Sequence, residues 1–361
     1  MRGLLPLRAA CPSGAKEDRG VSDELILLAH GSGGGQTHRL IDQVFRRRLD
    51  NEFLRQGDDA AVLPLPGGLS DGARLAFTTD SYTVTPLFFR GGNIGKLAVC
   101  GTVNDLAVQG ADPLYLSLGL IIEEGLRVAD LEKIVESIAS AARQAGVQIV
   151  TGDTKVVERG KADGVYINTA GVGVIPAGRE LSGRGARVGD VVLVSGTLGE
   201  HTLAILSERA GLSWDTPLES DCAPLNGLIR QLLAAAPGTR VLRDPTRGGL
   251  ATTLNEIAAQ SRVNIRLREE AIPVSPAVRG ACDMLGFDPL YAANEGKVIA
   301  ILPPDEVEAA LATLRAHPYG QAAAVIGEVT EGREGLVTLV TRFGGERILD
   351  MLEGEMLPRI C

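Results

Sequence analysis

Short apolar runs and amphipathic stretches alternate along both halves of this chain, and one segment, Gly178–Asp190 (GRELSGRGARVGD), breaks the pattern with glycine and charge but no periodicity. Such alternation calls for strands and helices mixed in sequence, and the break divides them into two units joined near residue 185. At 361 residues the chain is long for one compact domain and suits two.

In the first half Leu25–Ala29, Arg74–Thr79, Leu114–Ile122, Gln148–Thr151 and Tyr166–Ile175 read as strands. Leu40, Ile41, Val44, Phe45 and Leu49 recur at helical spacing, Asn93–Val108 reads as a helix, and Leu131, Ile134, Val135, Ile138 and Ala142 mark one face of another. The second half offers strands at Val191–Val194, Val263–Leu267, Val298–Leu302, Ala323–Val329 and Leu336–Thr341. Helices are expected there at Thr202–Arg209, Leu225–Ala235, Gly249–Gln260 and Glu306–Arg315. The expected fold class is α+β: mixed α/β domains over residues 23–180 and 181–348, preceded by an extension (1–22) and followed by a tail (349–361).

A net charge of -9 and a pI near 5.2 argue against nucleic acid, whose phosphates are met by clustered Lys and Arg. The five cysteines are scattered and form no CxxC pair, so neither a disulfide framework nor a zinc site is indicated, and a reducing cytoplasm fits best. The apolar run Leu114–Ile122 ends in Glu123 and Glu124, far short of the roughly 20 residues of a membrane span. Residues 1–20 lack the apolar core of a secretory signal. Aromatics are only 4% of the chain and glycines number 45, which points to loops built from backbone.

One such loop is AHGSGGG (29–35), between a predicted strand and a predicted helix, where Gly33, Gly34 and Gly35 would let backbone N–H groups approach a phosphate. Alone it fits a plain connecting loop equally well. A series of loop carboxylates says more: Asp58 and Asp59 in GDDAAVL, Asp80 in TTDSY, Asp105 in GTVNDLAVQGADP and Asp153 in TGDTK. Carboxylates are hard oxygen ligands, and this set suits Mg²⁺ bridging a triphosphate, although each Asp taken singly is commonly a cap or turn former. Lys155 lies two residues after Asp153, so on an extended segment the two share a face, with Lys155 placed to hold a γ-phosphate. Most such lysines are simply exposed surface. RDPTRGGL (243–250) sets Asp244 before two glycines and a helix, and NEGK (294–297) offers Glu295 as a general base; a capped helix and a polar turn explain these as well.

The chain ends in Leu-Pro-Arg-Ile-Cys, and a terminal thiol on Cys361 is a liability on an ordinary surface. The glycine- and proline-containing last residues read as an arm; the ten steps from Met351 to Cys361 can reach roughly 30 Å. By itself a terminal cysteine is also compatible with accident.

Taken together, AHGSGGG, GDDAAVL, TTDSY, NDLAVQGADP, TGDTKVV, DPTRGG, NEGK and the terminal PRIC, in this order from about Leu25 to Cys361, resemble the HypE family of hydrogenase maturation proteins. That family sits in the superfamily of aminoimidazole ribonucleotide synthetase, selenophosphate synthetase and thiamin-monophosphate kinase. Terminal PRIC is the most specific of these motifs, and residues 1–22 depart from the family pattern.

The resemblance implies N-terminal domains pairing in a homodimer around a central β-barrel, with ATP and Mg²⁺ held nearby and a mobile tail. It implies a carbamoyl dehydratase: the carbamoyltransferase HypF loads Cys361, the S-carboxamide is dehydrated to a thiocyanate, and the cyanide passes to iron on a HypC–HypD complex. By the same resemblance Cys361, Lys155, Asp105 and Glu295 are catalytic. Gly33, Gly34, Gly35, Asp58, Asp80, Asn104, Thr154 and Asp244 face the nucleotide, and Asp58, Asp59, Asp80, Asp105 and Asp153 the metal. The rival expectations are a small-molecule kinase or synthetase of the same superfamily, in which Cys361 is incidental, and a non-catalytic scaffold.

Overall fold

The structure is a computed structural model that describes residues 26–31, 33–64, 72–214, 216–354 and 360. The extension 1–22, Ser32 and Cys361 itself lie outside the described residues.

The helical spacing of Leu40 to Leu49 is realised as one continuous stretch: α1 (Gly35–Leu40), a π-helical turn (Ile41–Arg46) and α2 (Arg47–Leu49). There follow β1 (Ala61–Leu63), β2 (Arg74–Tyr82), the short hairpin β3 (Phe88–Phe89) and β4 (Gly92–Asn93), α3 (Ile94–Val108), β5 (Asp112–Glu123), α4 (Val128–Ala145), β6 (Gln148–Val157) and β7 (Val165–Ile175). Beyond the junction come β8 (Val191–Val194), α5 (Glu200–Ala210), α6 (Asn226–Ala235), β9 (Val241–Arg243), α7 (Gly249–Ser261), β10 (Asn264–Arg268), α8 (Pro276–Leu285), β11 (Ile299–Leu302), α9 (Val307–Ala316), β12 (Ala324–Thr330), β13 (Leu336–Val340) and β14 (Glu346–Ile348).

The first half builds a five-stranded sheet in the order β1-β2-β7-β5-β6, antiparallel except for β5 with β6. The second builds a seven-stranded sheet, β14-β13-β10-β12-β8-β11-β9, in which β10 and β13 run parallel. The architecture is therefore mixed α/β, and the N-terminal sheet is open rather than a closed barrel.

Helix α3 organises the molecule. Asn93 starts it by accepting the N–H groups of Gly95 (2.9 Å) and Lys96 (3.2 Å), satisfying donors that a helix start leaves unpaired. Its small side chains let it sink between the sheet and α4, and most of it is buried. Helix α4 buries Ile134, Ile138, Ala141, Ala142 and Ala145, a spacing that paints one stripe, and Gly146 ends it in the left-handed conformation (φ 72°). This packing, with Tyr82, Phe89, Leu97 and Val103, forms the N-terminal core. At its other end α3 places Ala107 and Val108 in a cluster with Leu228, Leu232, Leu242 and Leu314 of the second half, so one helix joins both units.

Leu28–Gly31 is a 3₁₀ turn and not part of the expected strand. Among the described residues no strand pairs with that segment, and the His30 ring accepts the N–H of Leu27 at 2.9 Å, closing a turn instead. Strands β1, β9 and β14 are too short for their periodicity to show, whereas helix α8 was passed over although Val278, Ala281, Cys282 and Leu285 recur at helical spacing. Leu349, the first residue assigned to the tail, is fully buried in the C-terminal core, with its N–H on the carbonyl of Val337 (2.9 Å). Among the described residues no helix is long and apolar enough to cross a membrane.

Candidate active site

Strand alternation sends Thr78, Asp80 and Tyr82 toward α3, and the sequence Asn104-Asp105 on α3 meets them there. Asp244, just beyond β9, and Glu295, in the loop before β11, approach from the second half. Asp80, Tyr82, Asp105, Asp244, Arg247 and Glu295 line one cleft between the two units. The Tyr82 hydroxyl donates to Asp80 (3.0 Å). Its position requires glycine at 101, because a Cβ there would overlap the tyrosine oxygen. The Thr78 hydroxyl lies 2.9 Å from Asp105 Oδ2 and 3.0 Å from the carbonyl of Asp59, so its one hydrogen is shared.

Burial dominates the electrostatics. It pushes the carboxyls of Asp105 and Glu295 well above their ordinary range, and neighbouring carboxylates, including Asp244 and Asp80, push the same way. Asp80 is raised by burial against the opposing pull of Arg247 and the Tyr82 hydrogen bond. Asp244 is raised to about 6, again by burial first, with Arg243 opposing. Asp59 is also raised by burial although Arg243 pairs with it at 2.7 Å. The cleft thus concentrates negative charge that it cannot neutralise by itself.

Among the described residues no three Asp, Glu, His or Cys side chains converge closely enough to hold a metal ion unaided. The residues present still fit Mg²⁺. Asp80, Asp105 and Asp244 are hard oxygen donors in one cleft, and Glu295 Oε1 is buried without a hydrogen-bond partner. Such a set suits an ion whose remaining ligands are phosphate oxygens and water.

Other expected site residues lie elsewhere. Both oxygens of Asp58 are engaged at the junction, by the N–H of Gly183 (2.8 Å) and the hydroxyl of Ser182 (3.0 Å). Asn104 is buried, with its amide nitrogen donating to the carbonyls of Ala223 (3.1 Å) and Glu295 (3.3 Å) and its oxygen accepting from Leu225 N–H (2.8 Å). It bridges the two units and has no hydrogen left for a nucleotide. The glycines of AHGSGGG make their close approach to the arm: Gly35 N–H donates to the carbonyl of Leu352 (2.9 Å), and a Cβ on Gly34 would overlap that same oxygen. Gly33 packs against Arg247.

Lys155 and Asp153 do share a face of β6, with Nζ 3.0 Å from the carboxylate, but both are exposed. Their face is the outer one: they line a cavity of about 420 Å³ with Ser81 and Asn168, whereas Asp80, one residue before Ser81, points inward. Thr154 lies between them and faces the opposite side. Strands β7 and β5 stand between β2 and β6, so at about 4.8 Å per strand Lys155 lies roughly 14 Å across the sheet from Asp80.

Sequence reasoning passed over Arg243, which is buried and joins Asp59 to Glu256 (2.7 Å), itself 3.0 Å from His38. It also passed over Asp221, whose carboxylate accepts the N–H of Glu295 (3.0 Å) and pairs with Lys297 (2.9 Å). Arg243 stands in the quoted RDPTRGGL segment, directly before Asp244, and that adjacency was the available signal. Asp221 has no motif around it.

The sequence model for the N-terminal domain of AIR synthase related proteins matches residues 57–175, and that for the C-terminal domain matches 187–340. The carbamoyl dehydratase HypE of Cupriavidus necator is 54% identical over 361 residues, covering 100% of each chain, whereas that of Rhizobium leguminosarum bv. viciae is 53% identical and covers 94% of this chain and 96% of its own. A solved hydrogenase maturation protein HypE in complex with ATP is 52% identical with a TM-score of 0.78, covering 93% of this chain and 100% of that one. HypE in a HypE–HypF complex is 50% identical with a TM-score of 0.81, covering 87% and 99%. The chain belongs to the carbamoyl dehydratase HypE family of AIR synthase related proteins.

Proposed function

We propose that this chain dehydrates, at the expense of ATP, a carboxamide carried on the sulfur of its own Cys361, leaving a thiocyanate that supplies the cyanide ligand for the iron of a [NiFe]-hydrogenase. Glu295 carries the reading: a buried carboxyl with an unpartnered oxygen and a raised pKa, in one cleft with Asp80, Asp105 and Asp244. The full-length identity to a carbamoyl dehydratase and the ATP complex of a similar protein support the substrate and the nucleotide.

The chemistry needs what the cleft offers. An amide oxygen is a poor leaving group at neutral pH. Attack of that oxygen on the γ-phosphoryl of ATP breaks the bond to ADP and, with loss of one of the two N–H protons to solvent, gives an O-phosphorylated imidate. Removal of the remaining N–H proton then lets the C–O bond break, phosphate depart and the C≡N bond form. The sum is carboxamide plus ATP to thiocyanate, ADP, hydrogen phosphate and one proton. Glu295 takes the proton, since a carboxylate with a raised pKa is the stronger base. Asp80, Asp105 and Asp244 would hold Mg²⁺, which would supply positive charge to the phosphates.

Lys155 reaches a phosphoryl group in this cleft from a second copy of the chain. The outer sheet face exposes Phe77 (42%), Tyr115 (47%) and Ile121 (44%), an apolar surface that pairing of two open sheets into a barrel would cover. The carbamoyl group comes from HypF, and the cyanide goes to a HypC–HypD complex.

The test is mass spectrometry of the carbamoylated full chain incubated with Mg-ATP. The expected change is loss of one water, confined to the C-terminal peptide and absent without ATP. Phosphoryl transfer to a free metabolite that persists in Cys361→Ala would overturn the proposal.

A further inference from the structure

Ile360, the residue before Cys361, is held in place. Its side chain packs against the N-terminal core, and its carbonyl oxygen lies 2.6 Å from Nε2 of His201 on α5. His201 is fully buried and stands edge-on to Phe89 of β3, with centroids 5.7 Å apart at 89°. The contact therefore sits where the two units meet.

The hydrogen-bond directions around His201 are determined by its neighbours. A carbonyl only accepts, so Nε2 carries the hydrogen. Nδ1 lies 2.7 Å from the Ser220 hydroxyl oxygen, and that oxygen already accepts the N–H of Cys222 (3.1 Å). Ser220 accordingly directs its own hydrogen to Nδ1, which holds the ring in the tautomer that donates to Ile360. Asp221, between Ser220 and Cys222, accepts the N–H of Glu295. The short segment 220–222 thus connects the His201 contact to the loop bearing Glu295.

We propose that His201, oriented by Ser220, is a positioning residue that latches the carbonyl of Ile360 and so holds the arm, at its penultimate residue, next to the segment 220–222 that contacts the Glu295 loop. The purpose of the latch rests on the tail chemistry proposed above, whereas the seating rests on the contacts alone. The two can fail separately.

The experiment measures alkylation of Cys361 by iodoacetamide in the folded full-length protein, read by mass spectrometry of the C-terminal peptide, alongside single-turnover dehydration with Mg-ATP. Cys100, Cys222 and Cys282 are buried and serve as internal controls of folding. His201→Phe keeps the apolar contact with Phe89 but removes the donor; alkylation is expected to rise about tenfold, one hydrogen bond's worth. His201→Gln, whose amide N–H can reach the same carbonyl, should restore most of the protection. Ser220→Ala, the second variant should His201→Phe fail to fold, should raise alkylation about threefold by releasing the tautomer. Alkylation within about twofold of the parent in folded His201→Phe or Ser220→Ala overturns the latch, as does equal acceleration in His201→Phe and His201→Gln. Intact protection without dehydration in the parent would sink the carbamoyl reading and leave the latch standing.

Discussion

The two faces of the N-terminal sheet carry the same chemical types in opposite states. On the inner side Asp80 of β2 and Asp105 of the helix packed against it are held back from ionising, chiefly by burial, Asp80 in spite of Arg247 nearby. On the outer face Asp153 is pulled below its ordinary range, chiefly by its hydrogen bond to Lys155, in open solvent. Residue type does not distinguish these aspartates; dielectric surroundings do. The inner acids are kept from ionising by their burial, which is how a binding site is commonly marked, whereas the outer pair is already satisfied.

The largest expected effect tests whether the two faces serve one site. Lys155→Ala and Glu295→Gln should each slow single-turnover dehydration about a thousandfold. Mixed under conditions that allow subunits to exchange, they should regain about a quarter of the parental activity, because half of a twofold-symmetric population is mixed and each mixed dimer has one intact site. No recovery, with exchange verified by native mass spectrometry, would mean that both residues act from one chain, and the separation of the faces would lose its functional meaning.

A smaller effect concerns stability. Asp244 titrates at about 6 in the fold, above the ordinary 3.8 of a free Asp. A raised carboxyl pKa contributes stability that is fully present below 3.8 and lost as pH rises through 6. At pH 8 the ionised group therefore opposes folding, by an order-of-magnitude figure of about 3 kcal/mol. Asp244→Asn should raise the melting temperature at pH 8 in the absence of nucleotide, and the gain should vanish near pH 4. A gain that is the same at both pH values would show that Asp244 is not strained by burial.

The smallest effect completes the comparison. Asp153→Asn removes an exposed partner from Lys155 and should leave the calorimetric melting temperature unchanged. A clear drop would show that the outer pair is buried in the working assembly.

Much of the fold was legible because periodicity is local. Val191–Val194 was bounded correctly, and α3, α4, α7 and α9 fall within one or a few residues of expectation, since their apolar spacing and caps reside in adjacent sequence. Leu25–Ala29 misled because an apolar run resembles a strand whether or not a neighbour exists to pair with it. The motifs singled out Asp80, Asp105, Asp244 and Glu295 as candidates, and the structure draws these four into one cleft. Asp58 and Asn104 looked the same in sequence, yet their polar atoms are engaged in holding the two units together.

By itself the sequence determined the two mixed units, the acidic motif set and the terminal thiol, because each is written in residue type and short-range spacing. Only the tertiary structure decided which side of the sheet each acid faces, that the glycine loop receives the arm at Leu352, and that His201 meets Ile360 across 159 positions. Those outcomes depend on strand register and on packing between distant segments, where a one-residue change of register would exchange the two faces.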